Sequence, residues 1–166
     1  MLLSVVIPVL NAASTLPKCL DSLAAQDFLD AEFVLVDNGS SDGSIELIRQ
    51  FMKQRPKLNL RLIEEVHPGA SAARNRGASQ TVGDWLVFTD SDCVADSDWL
   101  ADLADAIRAY SDVAAFAGTV TAFPAKSCVG TGLTDPPSIR KRPATCAGSK
   151  TPITLMLART ASAIGP

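Results

Sequence analysis

The sequence predicts an α/β domain: an open, mostly parallel sheet with helices on both faces. Three observations predict it. Short β-branched, apolar runs alternate with segments of helical period. The runs "LSVVIPV", "EFVLVD" and "DWLVFTD" are almost continuously apolar, as strands covered on both faces are. Each of them then stops abruptly in polar or turn-forming residues.

The first run, ended by Pro8, reads as a buried strand. Leu16, Cys19, Leu20 and Leu23 then follow a 3.6-residue period, with Pro17 in the first turn and Ser14 or Thr15 as the cap. "EFVLVD" is the second strand, and "NGSSDG" is a turn. "SIELIRQFMKQ" is a helix burying Ile45, Ile48, Phe51 and Met52. "LNLRLIEE" alternates leucine with polar residues, which suits a third strand near the sheet edge. "HPGASAARNRGASQ" is a glycine-bounded turn entering a weakly apolar helix. "DWLVFTD" is the fourth strand, Ser97 or Asp96 caps a helix running to about Tyr110, and "VAAFAGTVTAF" is a further strand or strand pair.

Composition separates two parts of the 166-residue chain. Up to Phe123 there are nine Lys/Arg against seventeen Asp/Glu, and from Pro124 onward six against one. All nine aromatic residues lie in the first part, whereas six of the ten prolines lie in the second. Residues 1–123 are therefore read as the folded core, and 124–166 as an atypical, poorly ordered or truncated tail. Cys19, Cys93, Cys128 and Cys146 are scattered and His67 is the only histidine, so zinc and disulfide frameworks are not suggested, and reduced thiols in the cytoplasm are expected. "MLLSVVIPVL" lacks the basic flank of a leader and is interrupted well short of a membrane span.

In parallel sheets ligands bind beyond the carboxyl ends of the strands. Three such ends are polar here: Pro8 to Asn11, Asp37 with Asn38, and Asp90 with Asp92 in "FTDSDCV". The first strand is followed by "PVLNAAS", which is not the G-x-G-x-x-G of a dinucleotide site. There is no G-x-x-x-x-G-K-[ST] phosphate loop, and "GASAA" is not a nucleophile elbow. Asp90 and Asp92 would repel one another unless neutralised, and a carboxylate pair suits Mg²⁺ or Mn²⁺, whose shell is completed by water and phosphate oxygens.

Taken together, "SVVIPVLNAASTLPKCLDSLAAQ", "EFVLVDNGSSDGS", "GASAARNRGASQTVGDWLVFTDSD" and "FAGTV" resemble, in order and spacing, the nucleotide-sugar half of family 2 glycosyltransferases of the GT-A fold. The resemblance covers about the first three quarters of the chain. It implies a metal-assisted, inverting transfer of sugar from a nucleoside-diphosphate sugar to an unknown acceptor hydroxyl, without nucleic acid. A role in cell-envelope polysaccharide synthesis, in the cytoplasm or peripheral to the membrane, follows from the same resemblance. Pro8, Asn11, Asp37 and Asn38 would hold the nucleoside, Arg74 and Asn75 would line the cleft, and Asp90 and Asp92 would hold Mn²⁺ or Mg²⁺ on the diphosphate. Two positions depart from the pattern. Leu10 stands where an aromatic is common, and Asn38 where a second acid is frequent.

Plainer readings stand beside these. Asp37 suits an Asx turn, Arg74 and Arg76 suit a solvated helix face, His67 suits a surface loop, and Cys93 suits packing. The catalytic base is unassigned, because after Asp112 the only acid is Asp135 in "TDPPS". A nucleotidyltransferase of related fold would want a glycine-rich basic loop after the first strand, and a receiver-like module a lysine at a late strand end. The remaining alternative is a nucleotide-binding remnant without turnover.

Overall fold

The computed structural model describes residues 1–118, 120–122, 144–146 and 155–159. In chain order the elements are β1 (Leu3–Val9), α1 (Leu16–Ala24), β2 (Ala31–Asp37), α2 (Ser44–Gln54), β3 (Leu60–Glu64), α3 (Ala70–Ala78), β4 (Trp85–Phe88), β5 (Cys93–Val94), α4 (Trp99–Ala109), β6 (Ala117–Gly118), β7 (Val120–Ala122), β8 (Ala144–Cys146) and β9 (Leu155–Arg159). The main sheet runs β3-β2-β1-β4-β9-β6. Its first four strands are mutually parallel, as the buried apolar runs predict. β3 lies at the edge, where its polar alternation places it.

The expected further strand differs. "VAAFAGTVTAF" divides into β6, in the main sheet, and β7, in a small sheet of order β5-β8-β7. The neighbour of β4 is β9, which is antiparallel to it. Apart from β8 and β9, the reading of 124–166 as a tail falls outside the described residues.

The chain steps from β1 outward to β2 and β3, then returns across β1 to β4. Right-handed crossovers place helices of opposite travel on opposite faces. Accordingly, odd-numbered residues of β1 (Leu3, Val5, Ile7, Val9) pack with Leu16, Leu20 and Leu23 of α1, Ile48 of α2, and Leu100, Leu103 and Ile107 of α4. The opposite face is thin: among the described residues Val6, Val34 and Val36 cluster with Ala73 of α3 as their buried side-chain partner. Thinness here is close approach rather than poor packing. Gly77 is buried, and a Cβ there would overlap Val6 Cγ1 and press on Val36, so the helix backbone lies almost on the sheet. That explains how a helix with so few apolar residues is held.

Two expected helix caps do not form. Thr15 is the N-cap of α1 and Asp98, rather than the expected Ser97 or Asp96, that of α4, and neither makes a side-chain capping bond. The Thr15 hydroxyl donates instead to the Ala12 carbonyl, at 3.2 Å. Trp85 is buried and packs against Phe116 with ring centroids 5.7 Å apart, and Trp99 is partly buried against the core.

Candidate functional site: a cleft at the carboxyl ends of β1, β2 and β4

The cleft begins where β4 leaves the sheet. Pairing of β1 with β4 ends at Val6 and Phe88, and Thr89 N–H donates to the Val6 carbonyl at 3.3 Å. Even-numbered residues of β1 therefore turn their backbone groups toward β4. Pro8, two residues on, has no ladder partner there, so its missing N–H costs nothing. The chains diverge at this point and leave an opening of about 330 Å³, lined by Pro8, Val9, Leu10, Asn38, Ala70, Arg74 and Asp90 to Asp92.

Arg74 and Asp90 meet inside it. The guanidinium Nη2 lies 2.6 Å from Asp90 Oδ1, and both side chains are mostly shielded from solvent. Ala70 and Arg74 are one helical turn apart, so the first turn of α3, with its unshared N–H groups, faces the same opening. Asp92 lines the same opening. Burial, and secondarily the Asp90 carboxylate, push its carboxyl above the usual range. Beneath them Cys19 is almost wholly buried, 3.8 Å from the Asp90 carbonyl. Its thiol is pushed up to about 12 by burial, with Asp92 and Asp90 adding to the effect, so it stays protonated.

The loops flanking the opening are stitched to one another. Asn11 N–H donates to Ser40 Oγ (3.0 Å), Ala12 N–H to Ser44 Oγ (2.9 Å), Ala13 N–H to Asp42 Oδ2 (2.9 Å), and Ser41 N–H to Asn11 Oδ1 (2.8 Å). The β1–α1 loop is thereby fixed on the β2–α2 turn. Asn11 takes φ +49°, a left-handed conformation that asparagine tolerates.

Of the residues singled out from the sequence, the fold brings Pro8, Asn38, Arg74, Asp90 and Asp92 together in the cleft. Asp37, Asn11 and Asn75 are not among its lining residues. Asp37 is buried and accepts from Gly39 N–H (3.0 Å) and Ser40 N–H (3.2 Å), the Asx-turn arrangement. Asn75 is exposed on α3. Ala70 was not flagged by the sequence, and the signal for it is its four-residue spacing from Arg74. His67 is on the surface, its Nδ1 2.8 Å from Glu65 Oε1. Cys93 is buried but disulfide-bonded, contrary to the expectation of reduced thiols; in the β5–β8 pairing it registers with Cys146.

Among the described residues no three His, Cys, Asp or Glu side chains cluster as a metal cage. Two carboxylates with room beside them suit a hard divalent cation that takes its other oxygens from a ligand and water. No described helix is long and apolar enough to cross a membrane.

An open, mostly parallel α/β sheet with helices on both faces is the fold of the GT-A glycosyltransferases. Solved structures of such enzymes share it. A 1–349 fragment of TarS from S. aureus, crystallised with UDP-GlcNAc among other states, superposes with TM-scores of 0.60–0.61 and 29% identity, over 81% of this chain and 37–39% of that one. The mannosyltransferase PcManGT from Pyrobaculum calidifontis, in complex with GDP-Man and Mn²⁺, gives 0.60 and 30%, over 73% of this chain and 35% of that one. Glycosyltransferase AglE of Haloferax volcanii is 41% identical over 99 residues, 58% of this chain and 32% of AglE. A PGL/p-HBAD biosynthesis glycosyltransferase of Mycobacterium bovis is 40% identical over 109 residues, 64% of this chain and 40% of that protein. The chain thus spans between about a sixth and two fifths of the length of these and other curated relatives it matches. It belongs to glycosyl transferase family 2, whose model matches residues 4–127.

Proposed function

We propose that the chain binds a nucleoside-diphosphate sugar in this cleft and serves its transfer, with inversion, to an acceptor hydroxyl. The observation that carries the proposal is the convergence of Arg74, Asp90, Asp92 and the first turn of α3 on one opening. A diphosphate is the ligand such a set recognises. The helix N-terminus offers N–H groups and positive dipole, and the guanidinium offers planar donors. Asp90 and Asp92 repel an anion unless a divalent cation lies between them and it. Mn²⁺ or Mg²⁺ held there would offset the charge gathering on the departing nucleoside diphosphate.

The chain's own residues have separate tasks in this scheme. Asp92, unpaired by Arg74 and raised by burial, gains most from a cation. Arg74 holds Asp90 in place and stands within the same opening as the phosphates. Pro8, Val9 and Leu10 form an apolar wall with Leu10 half exposed, a surface on which a nucleoside can rest without aromatic stacking. The acceptor hydroxyl attacks the anomeric carbon as the bond to the diphosphate breaks, and its proton passes to a base that the described residues do not identify.

Titration calorimetry with UDP and GDP, with and without Mn²⁺, tests the binding half of the proposal. Heat of binding that requires Mn²⁺ and vanishes in Asp90→Ala is the expected result; equal binding by the variant overturns it. Release of free sugar or its transfer from UDP-GlcNAc and GDP-Man tests turnover separately.

A further inference from the structure

Asn38 lines the cleft, yet its side chain faces elsewhere. Nδ2 donates to the Glu65 carbonyl (2.8 Å) and to the His67 carbonyl (2.7 Å), while Oδ1 accepts from Gly69 N–H (2.7 Å). Both amide protons and the oxygen are used on one five-residue loop. Only this orientation of the amide works, since the reverse would set its oxygen against two carbonyls. The loop so held leads directly into α3. Gly69, at φ +120° where L side chains are strained, is the N-cap, and Ala70 and Arg74 follow on the cleft side. Arg74 in turn grips Asp90. The backbone of the same segment adds two ties: Asn38 N–H donates to the Val9 carbonyl at 2.9 Å, and Glu65 N–H to the Asp37 carbonyl at 2.8 Å.

We infer that Asn38 is a positioning residue: its amide clamps the β3–α3 loop so that the first turn of α3 and Arg74 meet the diphosphate, and it does not read the nucleobase. The inference rests on the nucleotide-sugar reading above and refines it. An aspartate at this position has no proton to donate and would place a carboxylate against two carbonyl oxygens, so the amide and the acid, though alike in shape, are opposites here.

The discriminating ligand is one without a base. Affinities of the full chain for Mg²⁺–pyrophosphate, Mg²⁺–UDP and Mg²⁺–GDP are compared in wild type, Asn38→Asp and Asn38→Ala. The expected result is a loss of roughly tenfold, equal for all three ligands. In an Arg74→Ala background, Asn38→Asp should weaken pyrophosphate less than it does in wild type, because only the first turn of α3 is left to misplace. Hydrogen exchange at the backbone amides of 65–72 should quicken in both variants while β1 and β2 stay protected. A loss for UDP or GDP that spares pyrophosphate means direct contact with the base and overturns the inference, as does no loss for any ligand. If wild type binds none of the three, the nucleotide reading itself fails. Exchange then decides the clamp alone, and unchanged protection of 65–72 in Asn38→Asp overturns it.

Discussion

The two ends of the sheet each carry carboxylates, and they treat them in opposite ways. At the amino end Glu32, almost fully buried, accepts from Ser4 Oγ (2.5 Å), Val82 N–H (2.8 Å) and Arg61 Nη2 (2.8 Å). Burial alone would push its carboxyl up, but the bonds from Ser4, the Val82 backbone and Arg61 outweigh that and hold it below its ordinary value. At the carboxyl end Asp90 has Arg74, whereas Asp92 is pushed up by burial and by Asp90. A saturated carboxylate ties a fold together; one held above its ordinary range and facing an opening has capacity left for a ligand. The difference separates structure from function more sharply than residue type does.

The strongest way to break this contrast is Asp92→Asn. Mn²⁺-dependent affinity for UDP should fall on the order of 100-fold by calorimetry, while the urea midpoint stays level or rises, because the ionised carboxylate is disfavoured at its site. A lower midpoint with intact binding would reverse the assignment.

Glu32→Ala should do the opposite. It strands Ser4 and the Val82 N–H, and costs about 2 kcal/mol by urea denaturation. The share from Arg61 is small, since that side chain is 42% exposed. Nucleotide affinity of the folded fraction should be unchanged. Gly77→Ala sharpens the comparison of the two faces. Alanine favours a helix by up to about 1 kcal/mol over glycine, but here its methyl overlaps buried Val6 and presses on Val36, so a net loss of about 1–2 kcal/mol is expected.

The smallest effect is in pH. Glu32 has a folded-state value below its ordinary 4.5. Its contribution to stability is therefore complete above that value and lost as the pH falls through the lower, folded-state one. In Glu32→Gln the urea midpoint should change less between pH 6 and pH 3 than in wild type; identical slopes would dismiss the network.

Much of this was legible in the sequence. Asp90 and Asp92 follow an apolar strand, and such a strand can end only at the sheet's rim, so their place in the cleft follows from pattern alone. The same holds for the parallel order of β1 to β4. Glu32 was not legible. It sits inside "AEFVLVD", and its partners are 28 to 50 residues away, joined only by strand register and a crossover loop. Nor was the direction of the Asn11 and Asn38 amides, since composition gives the type of a polar group but not the neighbour it faces. Ser14, Thr15, Asp96 and Ser97 mislead for a related reason: a hydroxyl or carboxylate near a helix start has several acceptors and donors within reach, and Thr15 takes the Ala12 carbonyl.

The stitched β1–α1 and β2–α2 loops carry one more consequence. With Asn11 and its neighbours already tied to Ser40, Ser41, Asp42 and Ser44, the loops flanking the opening, where we propose the nucleoside rests, are a finished mould before any guest arrives. Docking there spends little entropy on arranging the chain. Arrival should be governed by diffusion and charge rather than by a slow rearrangement, and the observed rate should rise linearly with ligand concentration instead of levelling off.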